Sequence, residues 1–460
     1  MLILKKNASL YLFLIILIFF YSFISYLKFN NIDLEYEKIL KSIFDHLNDF
    51  GEISFSYGEI IQNILENNEY YWNVEGVKLY TVKPPLIPFV IIVLEKFTNN
   101  YFLIFFFKNI IFYSLYFFSV LYYCSTNNLS FKKKILLLLS PFLIPYNAYQ
   151  SLLLIPEESY SNFLIPGLFL LMIAKKKNFY LINLIIILLL YLKSSNIFLV
   201  FGILINLFFL EKKYLLNIFK LLIVVLILNV VWGTYGYHKS KIFSVFHKSF
   251  SINYYTGYQS HNIFFNYLYP KFSVDNMVPY IKKKIIKNKI KDEKEFTYFF
   301  SSEMKSYFIN NHKEYLKSKI KILNHIFLGI KNNGASYDMT CNMEFNNIIS
   351  RMIDDHNTEK LYEYEKNILN NCFENKETKI RINILINKFI WILSLIIAII
   401  AFIQNLNKKF QTDRLNYYFL IFNFFYILPF IIGHAYHRHL VVLTILSIIY
   451  IVINFNKKNL

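Results

Sequence analysis

Long apolar runs separated by short polar and basic clusters make up most of this chain. Ten of these runs reach or approach the roughly 20 residues that a helix needs to cross a bilayer. They predict an all-α polytopic membrane protein with about ten transmembrane helices. In chain order, the predicted spans are Leu10–Tyr26, Tyr101–Tyr123, Ile135–Leu154, Tyr160–Ala174, Phe179–Tyr191, Ile197–Leu210, Leu215–Trp232, Phe389–Ile403, Tyr417–Ile432 and Leu440–Ile453.

A further apolar run, Leu86–Leu94, is about half the length of a span. It follows Pro84 and Pro85, which favour the start of a helix, and it is predicted as a short interfacial or re-entrant helix. Counting it as a span would invert every later loop and scatter the basic clusters over both membrane faces.

The basic clusters set the predicted orientation, because lysines in short loops remain on the cytoplasmic side. Lys5 and Lys6 precede the first apolar run, and no small-residue cleavage site follows it, so this run is predicted as an uncleaved signal anchor. Both termini are then cytoplasmic. The other clusters predicted on that side are Lys132–Lys134, Lys175–Lys177, Lys212–Lys213, Lys408–Lys409 and Lys457–Lys458.

This topology divides the chain into three parts. Residues 1–232 form an N-terminal transmembrane module that includes an external loop over 28–100, and residues 384–460 form the C-terminal transmembrane helices. Between them, residues 233–383 are predicted as an external, mostly helical loop. Within that loop, Val278–Ile330 carries apolar residues at helical spacing among lysines.

Composition supports the membrane assignment and limits the functional classes. The 460 residues are 56% hydrophobic, and the mean hydropathy is +0.37. The formal net charge of +19 is attributed to topology-determining lysines, so no nucleic-acid partner is predicted. The chain has no Gly-rich phosphate loop, CxxC pair or HExxH motif, which argues against ATPase, redox-motif and zinc-protease functions. Against this background, residues 31–80 are acidic, with ten carboxylates and three lysines.

Four polar features fall at the outer membrane face in this topology. Each is weak alone, and their convergence on one side of the membrane indicates a site. They are the pair Asp33 and Glu35, Lys83 before the Pro-Pro, the pair Glu157 and Glu158, and the run His434–His439.

The motifs in these features resemble those of a known enzyme family. The order of a signal anchor, D-x-E-Y and an external loop ending in KPPL is similar to the GT-C glycosyltransferases that use lipid-phosphate sugars, especially the protein O-mannosyltransferase and lipid A aminoarabinose transferase group. Three further segments resemble that family, namely PEESYSNFLIPGLFLL, YFINNHKEYLKSKIKIL and YHRHLVVLTIL. In this chain the acidic residue that the family places before the late arginine and the prolines after it are missing.

The resemblance implies an inverting glycosyltransferase with its active site at the outer face of the inner membrane and the catalytic groups in the N-terminal module. The donor would be a polyprenyl-phosphate sugar, and the acceptor a glycan, lipid or protein hydroxyl. Asp33 matches the family's catalytic base, and Glu35 is the alternative base. Lys83, Arg438 and His434 would bind the donor phosphate, and His439 would add a hydrogen-bond donor.

Glu157 and Glu158 are open to several interpretations. They could orient the acceptor, position Lys83, or bind a divalent cation through their oxygens. They could equally stabilise the start of the Tyr160 span, because carboxylates in a first helical turn favour the helix dipole. No metal or other cofactor is assigned, and zinc is disfavoured because the spacing of His434, His437 and His439 fits no standard zinc signature.

Two other functions and one disulfide remain open. An O-antigen ligase or polymerase would also have many spans and a large external loop. A lipid or solute transporter is disfavoured because Lys108 and Lys193 are the few ionisable residues within or between closely spaced spans. Cys341 and Cys372 are both predicted outside, where they could form a disulfide, and Cys124 is predicted at the inner face.

Overall fold

The structure is a computed structural model of the chain, and most of the residues that it describes are helical. The described residues are 12, 14–20, 22, 56–81, 83–98, 100–152, 157–243, 284–310, 312–328, 382–404, 414–432 and 437–454.

Nine α-helices lie in the described residues between 56 and 243. They are α1 (Ser56–Asn67), α2 (Leu86–Glu95), α3 (Tyr101–Asn127), α4 (Phe131–Leu139), α5 (Pro145–Leu152), α6 (Glu157–Ile173), α7 (Phe179–Leu192), α8 (Asn196–Leu210) and α9 (Leu215–Ser240). After a short helical stretch at 284–288, five longer helices follow in the described part of the second half, namely α10 (Glu293–Asn310), α11 (His312–Leu328), α12 (Ile382–Gln404), α13 (Arg414–Ile432) and α14 (His437–Asn454).

Four of these helices, α3, α9, α12 and α13, are long and apolar enough to cross a membrane. The apolar helices α2, α7, α8 and α14 are shorter, at 10–17 residues in their apolar parts. The chain is therefore a helical membrane protein. Its ten spans and its orientation remain predictions.

The prediction of one continuous span over Ile135–Leu154 is wrong. The structure divides this run into α4, a 3₁₀ turn at Ser140–Phe142, and α5. Pro141 and Pro145 explain the division, because proline lacks a backbone N–H and disfavours a helical conformation in the residue before it. The short helix predicted over Leu86–Leu94 is present as α2 and begins directly after Pro85.

Helix α6 is the centre of the helical bundle. Every residue from Glu158 to Ile173 is buried, and α6 packs against α3, α5, α7, α13 and α14. A helix that is apolar on all sides is expected in such an interior position. Gly167 allows close packing, because a Cβ atom there would lie 3.1 Å from Oγ of Ser119 on α3.

A small β-hairpin between α1 and α2 was not predicted from the sequence. Strands β1 (Trp72–Val74) and β2 (Val77–Leu79) pair antiparallel. The two turn residues, Glu75 and Gly76, have φ values of 51° and 81°, as a two-residue type I′ turn requires. The apolar strand residues Trp72, Val74, Val77 and Leu79 are buried, and the alternate residues point outward.

The hairpin region is attached to the end of α9 by charge and by aromatic packing. Glu69 lies 2.7 Å from Nζ of Lys239 and 3.1 Å from Nζ of Lys78. The Lys239 hydrogen bond, assisted by Lys78, holds the pKa of Glu69 below its usual value despite partial burial. The Tyr70 ring packs edge-on against Trp232, with 5.5 Å between centroids. These contacts fix the hairpin to a helix that is long enough to span a membrane.

A buried charge cluster lies beyond the C-terminal end of α6. Nζ of Lys177 is 3.1 Å from Oε1 of Glu211, and the Tyr418 hydroxyl donates to the same oxygen at 2.7 Å. Nη2 of Arg414 lies 3.8 Å from the other carboxylate oxygen. Because these residues come from the α6–α7 connection, the end of α8 and α13, the cluster joins three parts of the bundle.

Glu211→Gln is expected to destabilise the protein by about 3 kcal/mol, because it leaves the buried Lys177 ammonium without its carboxylate. The double variant Lys177→Met/Glu211→Met removes both charges and should recover most of that loss. Thermal unfolding in detergent micelles measures both effects. A double variant that is no more stable than Glu211→Gln would contradict this explanation.

Candidate active site

Two carboxylates at the start of α6 face a lysine at the end of α7. Helix α6 is followed by a five-residue connection, residues 174–178, and α7 then runs back along α6. The end of α7 therefore returns to the level at which α6 begins. Nζ of Lys193 lies 3.0 Å from Oε2 of Glu157 and 2.9 Å from Oε1 of Glu158.

A buried histidine from α14 completes this group. Nε2 of His439 lies 3.0 Å from Oε1 of Glu158. The imidazole stacks on the ring of Phe430, with 4.4 Å between centroids, and Nζ of Lys193 lies 5.5 Å from the same Phe430 ring. The Tyr426 hydroxyl donates to the backbone oxygen of His439 at 3.0 Å and holds the start of α14. Glu157, Glu158, Lys193 and His439 are called the carboxylate cluster below.

Tyr57 connects the carboxylate cluster with Lys83. Its hydroxyl donates to Oε1 of Glu157 at 3.0 Å, and Nζ of Lys83 lies 5.1 Å from the centroid of its ring, within the range of a cation–π contact. Burial, assisted by the Glu157 charge, raises the pKa of Tyr57 well above its usual value, so the phenol keeps its proton and remains a donor. The Lys83 side chain is itself buried among protein atoms.

The electrostatics of this arrangement follow from burial. The buried carboxylate of Glu158 and the partly buried carboxylate of Glu157 need a counter-charge, and Lys193 supplies one to both of them. His439 and Tyr57 add hydrogen bonds, one to each carboxylate. The site therefore combines fixed carboxylates with ammonium and imidazole groups, which can bind and orient polar or anionic groups.

A second buried lysine lies next to the carboxylate cluster. Nζ of Lys108 on α3 is 2.8 Å from Oγ of Ser159, which follows Glu158, and 4.3 Å from the centroid of the Tyr160 ring. Lys108 is fully buried within a helix that is long enough to span a membrane. Ionisable residues at such positions mark functional sites, so Lys108 belongs to the same polar region.

The structure brings together four side chains that the sequence singled out, namely Lys83, Glu157, Glu158 and His439. Other predicted residues lie outside the described part of the chain, namely Asp33, Glu35, His434, Cys341 and Cys372. Arg438 belongs to the first turn of α14, and its side chain is also outside the described part. Cys124 is buried as a free thiol on α3.

The structure agrees with the helix-dipole interpretation of Glu157 and Glu158, and their functional roles stay predictions. Both residues lie in the first turn of α6, where carboxylates favour the helix dipole, and both also contact Lys193. Within the described residues, no group of three or more His, Cys, Asp or Glu side chains is placed to hold a metal ion.

Sequence reasoning did not assign Lys193 and Tyr57 to the site. A signal existed for Lys193, because a lysine between two apolar runs needs a counter-charge at the same depth. Tyr57 carried no such signal, since nothing in the acidic segment over 31–80 distinguishes it from the other tyrosines there.

These observations define a helical membrane protein with a buried polar site at one end of its central helix. Comparisons of the chain with protein-family models, with curated proteins and with solved structures find no match. The resemblance to lipid-phosphate glycosyltransferases therefore remains an expectation from the sequence.

Lys193→Met is expected to lower stability by about 3 kcal/mol, because it leaves the buried Glu158 carboxylate and the partly buried Glu157 carboxylate without their shared ammonium. The matched control is Lys175→Met, which removes an exposed lysine near the other end of α6. Thermal unfolding in detergent micelles compares the two variants. Equal unfolding midpoints would contradict the assignment of Lys193 as the counter-charge of the carboxylate cluster.

Proposed function

We propose that this protein is an inverting glycosyltransferase that moves a sugar from a polyprenyl-phosphate donor to an acceptor hydroxyl. The observation that carries the proposal is the continuous line of contacts from Lys83 through Tyr57 to the carboxylate cluster. The sequence singled out Lys83, Glu157, Glu158 and His439 for this chemistry, although as many as 356 positions separate the first from the last.

The chemistry requires a base and a cationic site for the leaving group. The base removes the proton of the acceptor hydroxyl while that oxygen attacks the anomeric carbon from the face opposite the phosphate. The bond between the anomeric carbon and the phosphate oxygen breaks, and polyprenyl phosphate leaves with the bonding electrons. Asp33 is the proposed base, with Glu35 as the alternative.

Cationic groups act on the charge that develops on the departing phosphate. In this proposal Lys83 contacts the donor phosphate, and Arg438 and His434 assist it. Preorganised groups of this kind are effective because they need no reorganisation as charge develops. The rigid contacts around Lys83 and His439 support the proposal, since both side chains are buried and held by neighbouring rings.

The carboxylate cluster has an orienting role in this mechanism. Glu157 and Glu158 are each engaged by Lys193, and they also contact Tyr57 and His439 respectively. Carboxylates with this many partners are suited to holding the lysine, phenol and imidazole in fixed positions. The acceptor hydroxyl would be oriented at the edge of this cluster.

One observation favours a second candidate function, a transporter of lipids or solutes. Lys108 is fully buried within α3, and intramembrane ionisable residues are common along transport pathways. A transporter would move its substrate without breaking a glycosidic bond, so flux into liposomes without any sugar transfer would support it.

The decisive assay incubates membranes containing the protein with labelled polyprenyl-phosphate sugars and identifies the labelled product by mass spectrometry. Asp33→Asn should lower transfer by about 10²–10⁴-fold, because the base is lost. Lys83→Met should lower it by about 10²-fold, because a preorganised charge is lost. Lys78→Met is the matched control, since Lys78 lies on β2, shortly before Lys83, and its side chain is about half exposed.

Each outcome bears on a different part of the proposal. Transfer that is unchanged in Asp33→Asn removes Asp33 as the base, and Glu35→Gln then tests the alternative. Equal transfer by Lys83→Met and Lys78→Met removes the donor-phosphate assignment. The absence of any labelled product with the unmodified protein, across a panel of donor sugars, would contradict the glycosyltransferase function itself.

A further inference from the structure

A carboxylate from the long polar region is bound to the backbone just before Lys83. Oε2 of Glu293 accepts a hydrogen bond from the N–H of Tyr80 at 3.0 Å, and Oε1 accepts from the N–H of Thr81 at 3.1 Å. The Thr81 hydroxyl donates to Oε1 at 2.6 Å. Glu293 is buried in the first turn of α10, more than 200 positions away in the chain.

Two other elements hold the same segment. The Tyr70 hydroxyl donates to the backbone oxygen of Lys83 at 2.9 Å, and the Tyr235 hydroxyl donates to the backbone oxygen of Tyr70 at 3.0 Å. Helix α9 also passes close to Thr81, because a Cβ atom at Gly236 would lie 2.5 Å from the Thr81 methyl group. The backbone on both sides of Lys83 is therefore restrained.

Two prolines follow Lys83 directly. Pro84 and Pro85 have no backbone N–H, so neither residue can donate a hydrogen bond. The N–H groups of Tyr80 and Thr81 lie just before Lys83 and do donate. Both are bound by one carboxylate, and hydrogen bonds to a charged acceptor are roughly twice as strong as neutral ones.

We propose that Glu293 is a positioning residue that holds the Tyr80–Lys83 segment and thereby sets the affinity of Lys83 for the donor phosphate. This inference rests on the proposed function, in which Lys83 contacts that phosphate. It assigns a role in the site to the long polar region between α9 and α12. Helix α10 acts on Lys83 through the backbone and does not itself contact the donor.

The proposal predicts that loss of Glu293 weakens donor binding and leaves the chemical step nearly unchanged. Without Glu293, the N–H groups of Tyr80 and Thr81 lose their charged partner, and Lys83 can occupy more positions. Donor affinity falls as a result, whereas the base and the carboxylate cluster remain in place. A residue that only stabilised the fold would lower the amount of active protein and leave the KM for the donor unchanged.

The test uses the full-length protein in lipid nanodiscs, with polyprenyl phosphate as the binding probe and labelled donor for steady-state kinetics. Glu293→Gln should raise both the Kd for polyprenyl phosphate and the KM for the donor by about 10-fold, with kcat changed less than 3-fold. Glu293→Asp keeps the charge and should recover part of this affinity.

Two further variants make the test specific. Thr81→Val removes the 2.6 Å hydrogen bond and keeps the size of the side chain, so it should raise Kd by about 3-fold. If Glu293→Gln does not fold, Thr81→Val alone tests whether this contact sets the affinity for polyprenyl phosphate. The matched control is Glu295→Gln, because the Glu295 carboxylate is exposed and accepts only a local bond from the N–H of Lys291 in the described contacts.

A double variant tests whether Glu293 acts through Lys83. Lys83→Met/Glu293→Gln should bind polyprenyl phosphate no more weakly than Lys83→Met alone. If the losses of binding free energy in the two single variants simply add in the double variant, the positioning role is wrong. It is also wrong if folded Glu293→Gln and Thr81→Val bind polyprenyl phosphate as tightly as Glu295→Gln does.

The failure of the proposed function gives a different pattern. If Lys83→Met binds polyprenyl phosphate as tightly as the unmodified protein, the donor-phosphate assignment fails, and the positioning role of Glu293 fails with it. If Lys83→Met weakens binding and the Glu293 and Thr81 variants do not, only the positioning role is wrong.

Discussion

The pairing of Glu157 and Glu158 with Lys193 is the interaction on which the site depends. Two carboxylates at the start of a buried helix must be neutralised, since an uncompensated buried charge strongly destabilises a protein. One ammonium lies within 3.0 Å of both carboxylates. This requirement fixes the end of α7 beside the start of α6. Tyr57 donates to the Glu157 oxygen that Lys193 does not contact, and His439 shares Oε1 of Glu158 with Lys193.

Those two contacts extend the constraint to parts of the protein that are distant in sequence. Tyr57 brings α1 and the segment before α2 to the carboxylates, and His439 brings the start of α14. The hairpin is held separately, by α9 through Tyr70 and by α10 through Glu293. Residues from loops and helix ends thus meet on a rigid scaffold, which is the usual arrangement of binding and catalytic groups.

The apolar helices were predictable because a long apolar run in a bilayer must satisfy its backbone internally. Helices α3, α7, α8 and α9 accordingly overlap the runs that the sequence defines. The interruption between α4 and α5 was missed because run length alone ignores Pro141 and Pro145. The hairpin was missed because each strand has only three residues. An alternation of apolar and polar residues over so short a stretch does not identify a strand in the sequence.

The sequence by itself determined the class of protein, the position of the short helix after Pro85, and the polar residues that could carry chemistry. Only the tertiary structure decided which of those residues meet. His439 reaches Glu158 because α14 packs on α6, and Lys83 joins the site through Tyr57. Those distances depend on helix packing, and no local pattern of residues encodes them. Glu293 was missed for the same reason. Two of its partners are backbone N–H groups, which every non-proline residue carries, and the third is the Thr81 hydroxyl.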